Sequence, residues 1–335
     1  MTRDHAWKVS EADYPEAAPV RERLAFLIRY AILAPSSHNT QPWSFSVGDG
    51  RIGVFVEPDR WLRVADADKR ELYVSVGCAL ENLLVAADHF GFEHLIHYFP
   101  DGEEADIVAR VELSPSAGRP RTLREGLFPA IRRRHTNHGR YDGRPLDEEH
   151  FRALEGAAFE PGVSVHLTEE LALRRSVDEL TARADALQFT DPEWRAELAY
   201  WLGQGVFGTG WLMSKMAKLA VTYLDLSKRT ARKDRDLLDS ASALGIVATR
   251  ASRRTAQVKA GQVFERMFLG AADLGVQVQP MNQILQLAET RAQLRRLLPE
   301  DWGQPQIAFR LGYGEPEQHT PRRPIDSVLH SGRPL

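Results

Sequence analysis

The sequence lacks most of what marks a secreted, membrane-spanning or metal-dependent chain. It has a single cysteine, Cys78, in 335 residues. No disulfide can form within the chain, and a reducing compartment, the cytoplasm, is the expected location. No uninterrupted apolar run reaches the roughly 18 residues that a bilayer span requires. Residues 1–19 carry charges throughout and contain no apolar h-region, so no secretory signal is expected. Neither sign of charge dominates: 43 Lys and Arg stand against 46 Asp and Glu, a net of -3. That balance points away from nucleic acid and from anionic membranes as partners. HExxH and paired CxxC are absent. His5, His89, His94, His97 and His150 show no ligand spacing with acids or with Cys78, so no metal site is expected. GxSxG is absent too, which removes the signal of a hydrolase elbow. The GxGxxG spacings at 48–53 and 203–208 fall on a hairpin pattern and within a helical pattern rather than between a strand and a helix, so they signal no Rossmann nucleotide turn.

What remains is a chain with 43% hydrophobic residues, enough for a large core. Residues 1–19 read as a loose arm. Apolar side chains at helical spacing predict a helix over 20–34, stopped by Pro35. WSFSV and RIGVFVEP flank Gly48-Asp49-Gly50 and predict a hairpin. A strongly apolar helix over 71–90 ends at Gly91, and strands follow at 92–99 and 106–113. Beyond it, the pattern predicts helices at 122–132 and 147–157 around a polar loop, then a strand at 163–168. Residues 169–230 are almost wholly helical in pattern. The strand ALGIVAT, a helix at 256–273, a strand at 275–279, a helix at 288–298 and the strand QIAFRLGYG complete the chain. Helices and strands mix without βαβ alternation, so the expected class is α+β. A faint repeat aligns VGCALENLLVAADHFGF with KAGQVFERMFLGAADLGV, matching Gly77 to Gly261, Glu81 to Glu265, Ala87 to Ala271 and Gly91 to Gly275. The shared order of elements after each copy favours internal duplication.

Four stretches carry the chemistry. The loop APSSHNTQPWSF, after the first helix, offers Ser36, Ser37, Asn39 and Gln41 as hydrogen-bonding groups beside a rigid Pro/Trp support. RRRHTNHGRYDGRP gathers guanidiniums, a hydroxyl and two imidazoles on one loop, and guanidinium forks suit phosphate oxygens. TPRRPIDSVL near the C-terminus is basic, and QPMNQ follows Gly275. Cys78, on an apolar helix, reads as packed rather than reactive. Lys228, Arg229, Arg232, Lys233 and Arg235 read as a solvated helix face.

APSSHNTQPWSF resembles the flavin loop of the nitroreductase superfamily, and RRHTN resembles that family's Arg-x-Ser phosphate motif in the form found in the fused, Acg-type branch. The resemblance runs from about residue 20 to 329. It implies a nitroreductase-like α+β fold, internally duplicated so that one chain mimics the usual dimer. The halves would be 20–120 and 121–335, with a helical insertion over 185–240. It implies one FMN per chain, touched by Pro35, Ser36, Ser37 and Asn39. Gln41, Pro42 and Trp43 would act as support. Arg134, Thr136 and His138 would hold the phosphate, and His138 replaces a usual basic residue, so affinity should fall at higher pH where imidazole is neutral. Arg322 and Arg323 would return to the same phosphate, with no choice made between them. Met281 and Asn282 would lie near the flavin's N5 edge.

The implied activity is FMN-dependent oxidoreduction from NADH or NADPH to a small flat acceptor such as a nitroaromatic or quinone, with no catalytic side chain required. A protein that stores or sequesters FMN beneath a lid is the alternative, and a cofactor-free regulator is a third reading. The Trp- and Met-rich stretch from Trp194 to Tyr223, including Trp201, Phe207, Trp211 and Met216, would be a lid, a substrate wall or a dimer contact. The assembly would be a monomeric pseudo-dimer or a homodimer.

Overall fold

A computed structural model of the chain describes residues 3–116, 123–156, 159–207, 240–330 and 333. The order of elements is α1 (Val20–Ala31), β1 (Trp43–Gly48), β2 (Arg51–Val56), α2 (Arg70–His89), β3 (Phe92–Tyr98) and β4 (Ile107–Pro115). There follow α3 (Phe128–Arg133), α4 (Glu148–Gly156), β5 (Val163–Thr168), α5 (Leu171–Thr190), α6 (Pro192–Gly203) and β6 (Ala243–Thr249). Then come α7 (Arg254–Asp273), β7 (Gln277–Pro280), α8 (Gln283–Gln286), α9 (Ala288–Leu297) and β8 (Gln304–Gly312). The strands make two antiparallel sheets of one topology, β1-β2-β4-β3 and β5-β6-β8-β7. The register shifts at the corresponding strand of each sheet, between Val54 and Phe55 and between Val247 and Ala248.

The two sheets are related through α2 and α7. Both helices are 20 residues long, and the shift that aligns their sequences, 261 − 77 = 184, also aligns their first and last residues. Each ends on a glycine in the left-handed region, Gly91 at φ +77° and Gly275 at φ +71°. They cross at Gly77 and Gly261. A Cβ on Gly77 would stand 2.1 Å from the Val258 carbonyl oxygen, and one on Gly261 would stand 2.0 Å from that of Val74. Only glycine allows backbones this close. The crossing buries α2 on nearly every face, which explains a sequence apolar all round rather than striped.

Segments of the C-terminal part extend both sheets. Residues 328–330 add to the β1 edge, where Phe45 N–H donates to the Val328 carbonyl at 2.7 Å and His330 N–H to that of Phe45 at 2.8 Å. Thr136 bridges Val278 on β7 in the same way. These additions close two edges that would otherwise pair with other chains.

Two expectations change. The helix expected over 122–132 begins only at Phe128, because Gly126 sits at φ +82° and Pro129 favours a helix start. The arm expected to be loose forms short 3-10 turns over Arg3–Lys8 and Glu11–Asp13 and docks by its aromatics: Trp7 stacks on His319 at 3.9 Å and Tyr14 on Phe90 at 4.2 Å. No helix of the described residues is long and apolar enough to cross a membrane.

The crossing makes a test of the fold. Gly261→Val forces α7 away from Val74 and is expected to cost about 3 kcal/mol, the upper end for overpacking. Thermal unfolding would record this as a lower midpoint, and an unchanged midpoint would show that the helices do not meet there.

Candidate functional site

Pro35 ends the first helical segment, and the chain then takes an irregular path into β1. His38, Asn39 and Gln41 all have φ near +50°, a region that costs a non-glycine residue about 1–2 kcal/mol. Side chains hold the path. Ser36 Oγ accepts from the Gln41 N–H at 2.9 Å, and Gln41 Oε1 accepts from the Arg323 N–H at 2.7 Å. Asn39 Nδ2 donates to the carbonyls of Pro321 at 2.9 Å and Val206 at 2.5 Å. Trp43 is wholly buried behind the loop.

The loop forms one wall of a cavity of about 270 Å³. Pro35, Ser36, Ser37, Asn39, Arg134, Thr136, His138, Asn282 and Arg322 all line it, so nine positions singled out by the sequence meet in one place. Met281 and Arg323 are outside the lining. Met281 is buried in a separate apolar cluster, with its N–H donating to the Ala308 carbonyl at 2.7 Å. Arg323 turns to the back of the loop and donates to the carbonyls of Gln41 and Trp43, both at 3.0 Å. Of the adjacent arginines, it is Arg322 that faces the cavity.

One end of the cavity is strongly cationic. Arg134 and Arg322 are both about 99 and 97% buried, being 1% and 3% exposed, and both donate to the same carbonyl, that of Leu33, at 2.9 and 3.1 Å. Arg322 also donates to Asn39 Oδ1 at 3.1 Å and Thr320 Oγ1 at 2.7 Å, and its guanidinium lies over the Trp7 ring at 4.7 Å. None of these partners is anionic. Arg134 Nε lies 3.3 Å from Glu265 Oε1, yet neither that Nε nor Arg322 Nε has a hydrogen-bond partner among the described residues. Burial, and then the charge of Arg134, push Arg322 well below its ordinary pKa. Burial and the field of Arg134, His135 and Arg322 bring His319 down to about 4. Two buried guanidiniums face one carboxylate, and that carboxylate is itself raised to about 7 by burial against the pull of Arg134 and Arg322. A buried charge without a counter-charge is costly, so this end is suited to an anion with several acceptor oxygens.

The opposite repeat shows the balanced form of the same arrangement. Glu81 matches Glu265, and Arg266 occupies the position of Asn82 one residue on. Glu81 Oε1 accepts from Arg266 Nε at 2.7 Å, and Glu81 Oε2 from Arg124 Nη2 at 3.1 Å. Burial pushes Glu81 up, but Arg124 and Arg266 outweigh it and hold the group at about 2. Asp88 adds a second carboxylate 3.9 Å from Arg124. There the protein's own acids satisfy the arginines.

The rest of the lining is mixed. Val74, Cys78, Phe264 and Ile307 give it an apolar floor. Cys78 is buried, its Sγ is 3.3 Å from the Gly261 carbonyl oxygen, and burial raises its thiol pKa well above the ordinary value. Sequence reasoning missed Trp7 and Glu71. Glu71 accepts from Gln286 Nε2 at 3.1 Å, pairs with Arg70 at 2.7 Å and receives the Ser37 hydroxyl. No local pattern marks it, because it lies on a helix otherwise read as core. Asp185, Gln188, Trp194 and Phe207 bring α5, α6 and the chain after them to the cavity. Trp194 and Trp201 pack with Leu62 and Ala65, and Glu197 accepts from the N–H groups of Val64 and Ala65 at 3.1 and 2.9 Å. Trp211, Met216, Tyr223 and the basic run 228–235 lie outside the described residues.

No family model matches the chain. Among curated proteins, one of Mycobacterium tuberculosis strain H37Rv named "Putative NAD(P)H nitroreductase" is 28% identical over 327 residues, covering 94% of this chain and 92% of that protein. Another of the same strain, "Putative NAD(P)H nitroreductase acg", is 25% identical over 332 residues, covering 94% and 98%. Among solved structures, a protein from Anabaena variabilis ATCC 29413 described as a putative nitroreductase superposes with a TM-score of 0.51 at 10% identity, covering 89% of this chain and 90% of that one. The last likeness spans both sheets and establishes the fold.

The two buried glutamates give opposite pH signatures. Glu81, lowered to about 2, adds stability that is present above its unfolded value near 4.5 and is lost as pH falls towards 2. Glu265, raised to about 7, favours the fold most below pH 4.5, and that contribution is lost as pH rises through 7. In the ligand-free protein, Glu81→Gln is expected to remove part of the acid limb of a stability profile. Glu265→Gln should flatten the decline between about pH 5 and 7. Thermal midpoints across pH measure both, and identical profiles for the two variants would contradict the charge asymmetry.

Proposed function

For this chain, a member of the nitroreductase superfamily in its fused Acg-type branch, we propose FMN-dependent oxidoreduction with NADH or NADPH as electron donor. The observation that carries the reading is the pair Arg134 and Arg322, buried with a single raised carboxylate at one end of a cavity with apolar and amide walls. Their fit to FMN follows from chemistry: guanidiniums, Thr136 and His138 suit a phosphate, and Ser36, Ser37, Asn39 and Asn282 suit the polar edges of a flat ring. Bound there, FMN supplies two-electron transfer to a small flat acceptor such as a nitroaromatic or quinone. The chain's tasks are the others. Arg134 and Arg322 neutralise the phosphate, the strained loop fixes hydroxyl and amide donors, and Trp194 and Phe207 keep water from the open side.

On this reading the halves 20–120 and 121–335 replace the two subunits of an ordinary dimer, and the fusion presents one to the other at high effective concentration. Glu81, Arg124 and Arg266 fill the counterpart of the anion site, so one FMN per chain is proposed. The protein would act in the cytoplasm as a monomeric pseudo-dimer or a homodimer, with no nucleic-acid or membrane partner. A storage protein with little turnover is the second reading. It draws support from the reach of Asp185, Gln188, Trp194 and Phe207 into the cavity, which makes the 185–240 segment a lid.

Arg322→Ala is expected to weaken FMN binding ten- to a hundredfold, about 1.5–3 kcal/mol, with the fold intact. Titration with FMN checks this, and the wild type should saturate at one flavin per chain. Unchanged affinity in the variant, or two flavins at saturation, would overturn the assignment. Anaerobic NADPH should bleach the flavin band of an oxidoreductase and leave that of a storage protein. If the segment is a lid, Trp194→Ala should also expose bound flavin to small quenchers without altering sedimentation.

A further inference from the structure

We infer that Arg310 and Gln279 are positioning residues that fix the tautomer of His138, so that a neutral imidazole offers a donor to the anion in the cavity. The inference rests on the FMN reading for the identity of that anion, but not for the tautomer itself. Gln279 on β7 and Arg310 on β8 are direct cross-strand partners. Arg310 is 1% exposed, and its Nε donates to Gln279 Oε1 at 2.7 Å. A guanidinium can only donate. The oxygen of the Gln279 amide must therefore face Arg310, which sends the NH2 group to His138 Nδ1, 3.1 Å away. An amide NH2 also only donates, so Nδ1 carries no proton, and the single proton of a neutral imidazole sits on Nε2.

The relay cannot easily turn over. Arg310 is held over the Tyr141 ring at 4.2 Å, and its Nη2 donates to the Gly139 carbonyl, the residue after His138, at 2.5 Å. One buried cation thus sets both the amide orientation and the backbone beside the imidazole. Protonating His138 would set an Nδ1–H against the amide NH2. The fixed charges around it also oppose that step: Arg134 on its own loop, Arg310 from β8 and Arg322 from the C-terminal segment, with Glu317 near Gly139 as the countervailing acid. The other titratable neighbours are His135 and His319, and His319, brought down to about 4, is neutral there. Gln279 and His138 both line the cavity. The donor that the site needs at this position is therefore supplied by tautomer rather than by charge. The loss of affinity at higher pH expected from replacing a basic residue with His138 does not follow.

Two measurements test the relay. Side-chain NMR of labelled histidines in the flavin-free protein, with His138 assigned from His138→Gln, should show it as the Nε2–H form. The Nδ1–H form or an imidazolium there at neutral pH would overturn the inference, whether or not flavin binds. In Gln279→Glu the carboxylate accepts from Nδ1 and reverses the proton's place. The ratio of FMN to riboflavin affinity isolates the phosphate end, since riboflavin lacks the phosphate. That ratio should stay flat in the wild type from about pH 7 to about pH 8.5 and fall about tenfold across the same interval in Gln279→Glu. A flat ratio in the variant would overturn the role of Gln279. A wild type that binds neither flavin would overturn the cofactor assignment and leave the NMR result to judge the relay.

Discussion

The near-contact of two helix backbones at Gly77 and Gly261 is the constraint on which the rest of the structure depends. A carbonyl within about 2 Å of where a Cβ would stand leaves no side chain between α2 and α7. The helices therefore act as one buried unit that carries a sheet on either side. The floor of the site takes its position from that unit: Val74 and Cys78 come from α2, Phe264 from α7, and the acids that meet the arginines sit four residues after each glycine. Separating the helices by one methyl group would move both walls of the cavity at once.

Duplication gave this unit two equivalent ends, and charge has made them different. At one end Arg266 takes the place that Asn82 holds at the other. Glu81, held at about 2 between two guanidiniums, is a settled ion pair; Glu265, raised to about 7, is not. The end with the raised carboxylate is the one that keeps the strained loop and the C-terminal arginine. The difference in charge between the two ends thus comes down to the residue after each glutamate, together with Arg124.

The sequence made much of this legible, for physical reasons that can be named. The hairpin at 43–56, the two long helices and the closing strand are regular elements with local periodicity and glycine stops. The APSS loop and RRHTN stood out because polar, proline-punctuated stretches are rare between apolar elements. Local pattern could not place Arg322 in the cavity and Arg323 behind the loop, since adjacent residues differ only in the direction the backbone gives them. Glu71 was hidden because its helix is apolar all round, and Trp7 because its partner, His319, is more than 300 residues away. The arm read as loose has low periodicity of its own and gains order from aromatic stacking that no window of sequence contains. Met281 had the right neighbours, but β8 holds its backbone and turns its side chain into another core.

The site also cannot form before residues 321–323 are in place. Three backbone choices within four residues, at His38, Asn39 and Gln41, are unfavourable, and the groups that hold them are the Pro321 carbonyl, the Arg323 N–H and the Arg322 guanidinium. Those contacts span more than 280 residues, so their closure entropy is met late in folding. Residues 328–330 then extend β1 and lock the preceding strap, residues 320–323, in place. The strap brings the second buried guanidinium with it. Without that guanidinium the loop loses one of its holds and Arg134 faces Glu265 alone, a balanced pair. The excess positive charge that suits the cavity to a phosphate therefore exists only when both ends of the chain have met.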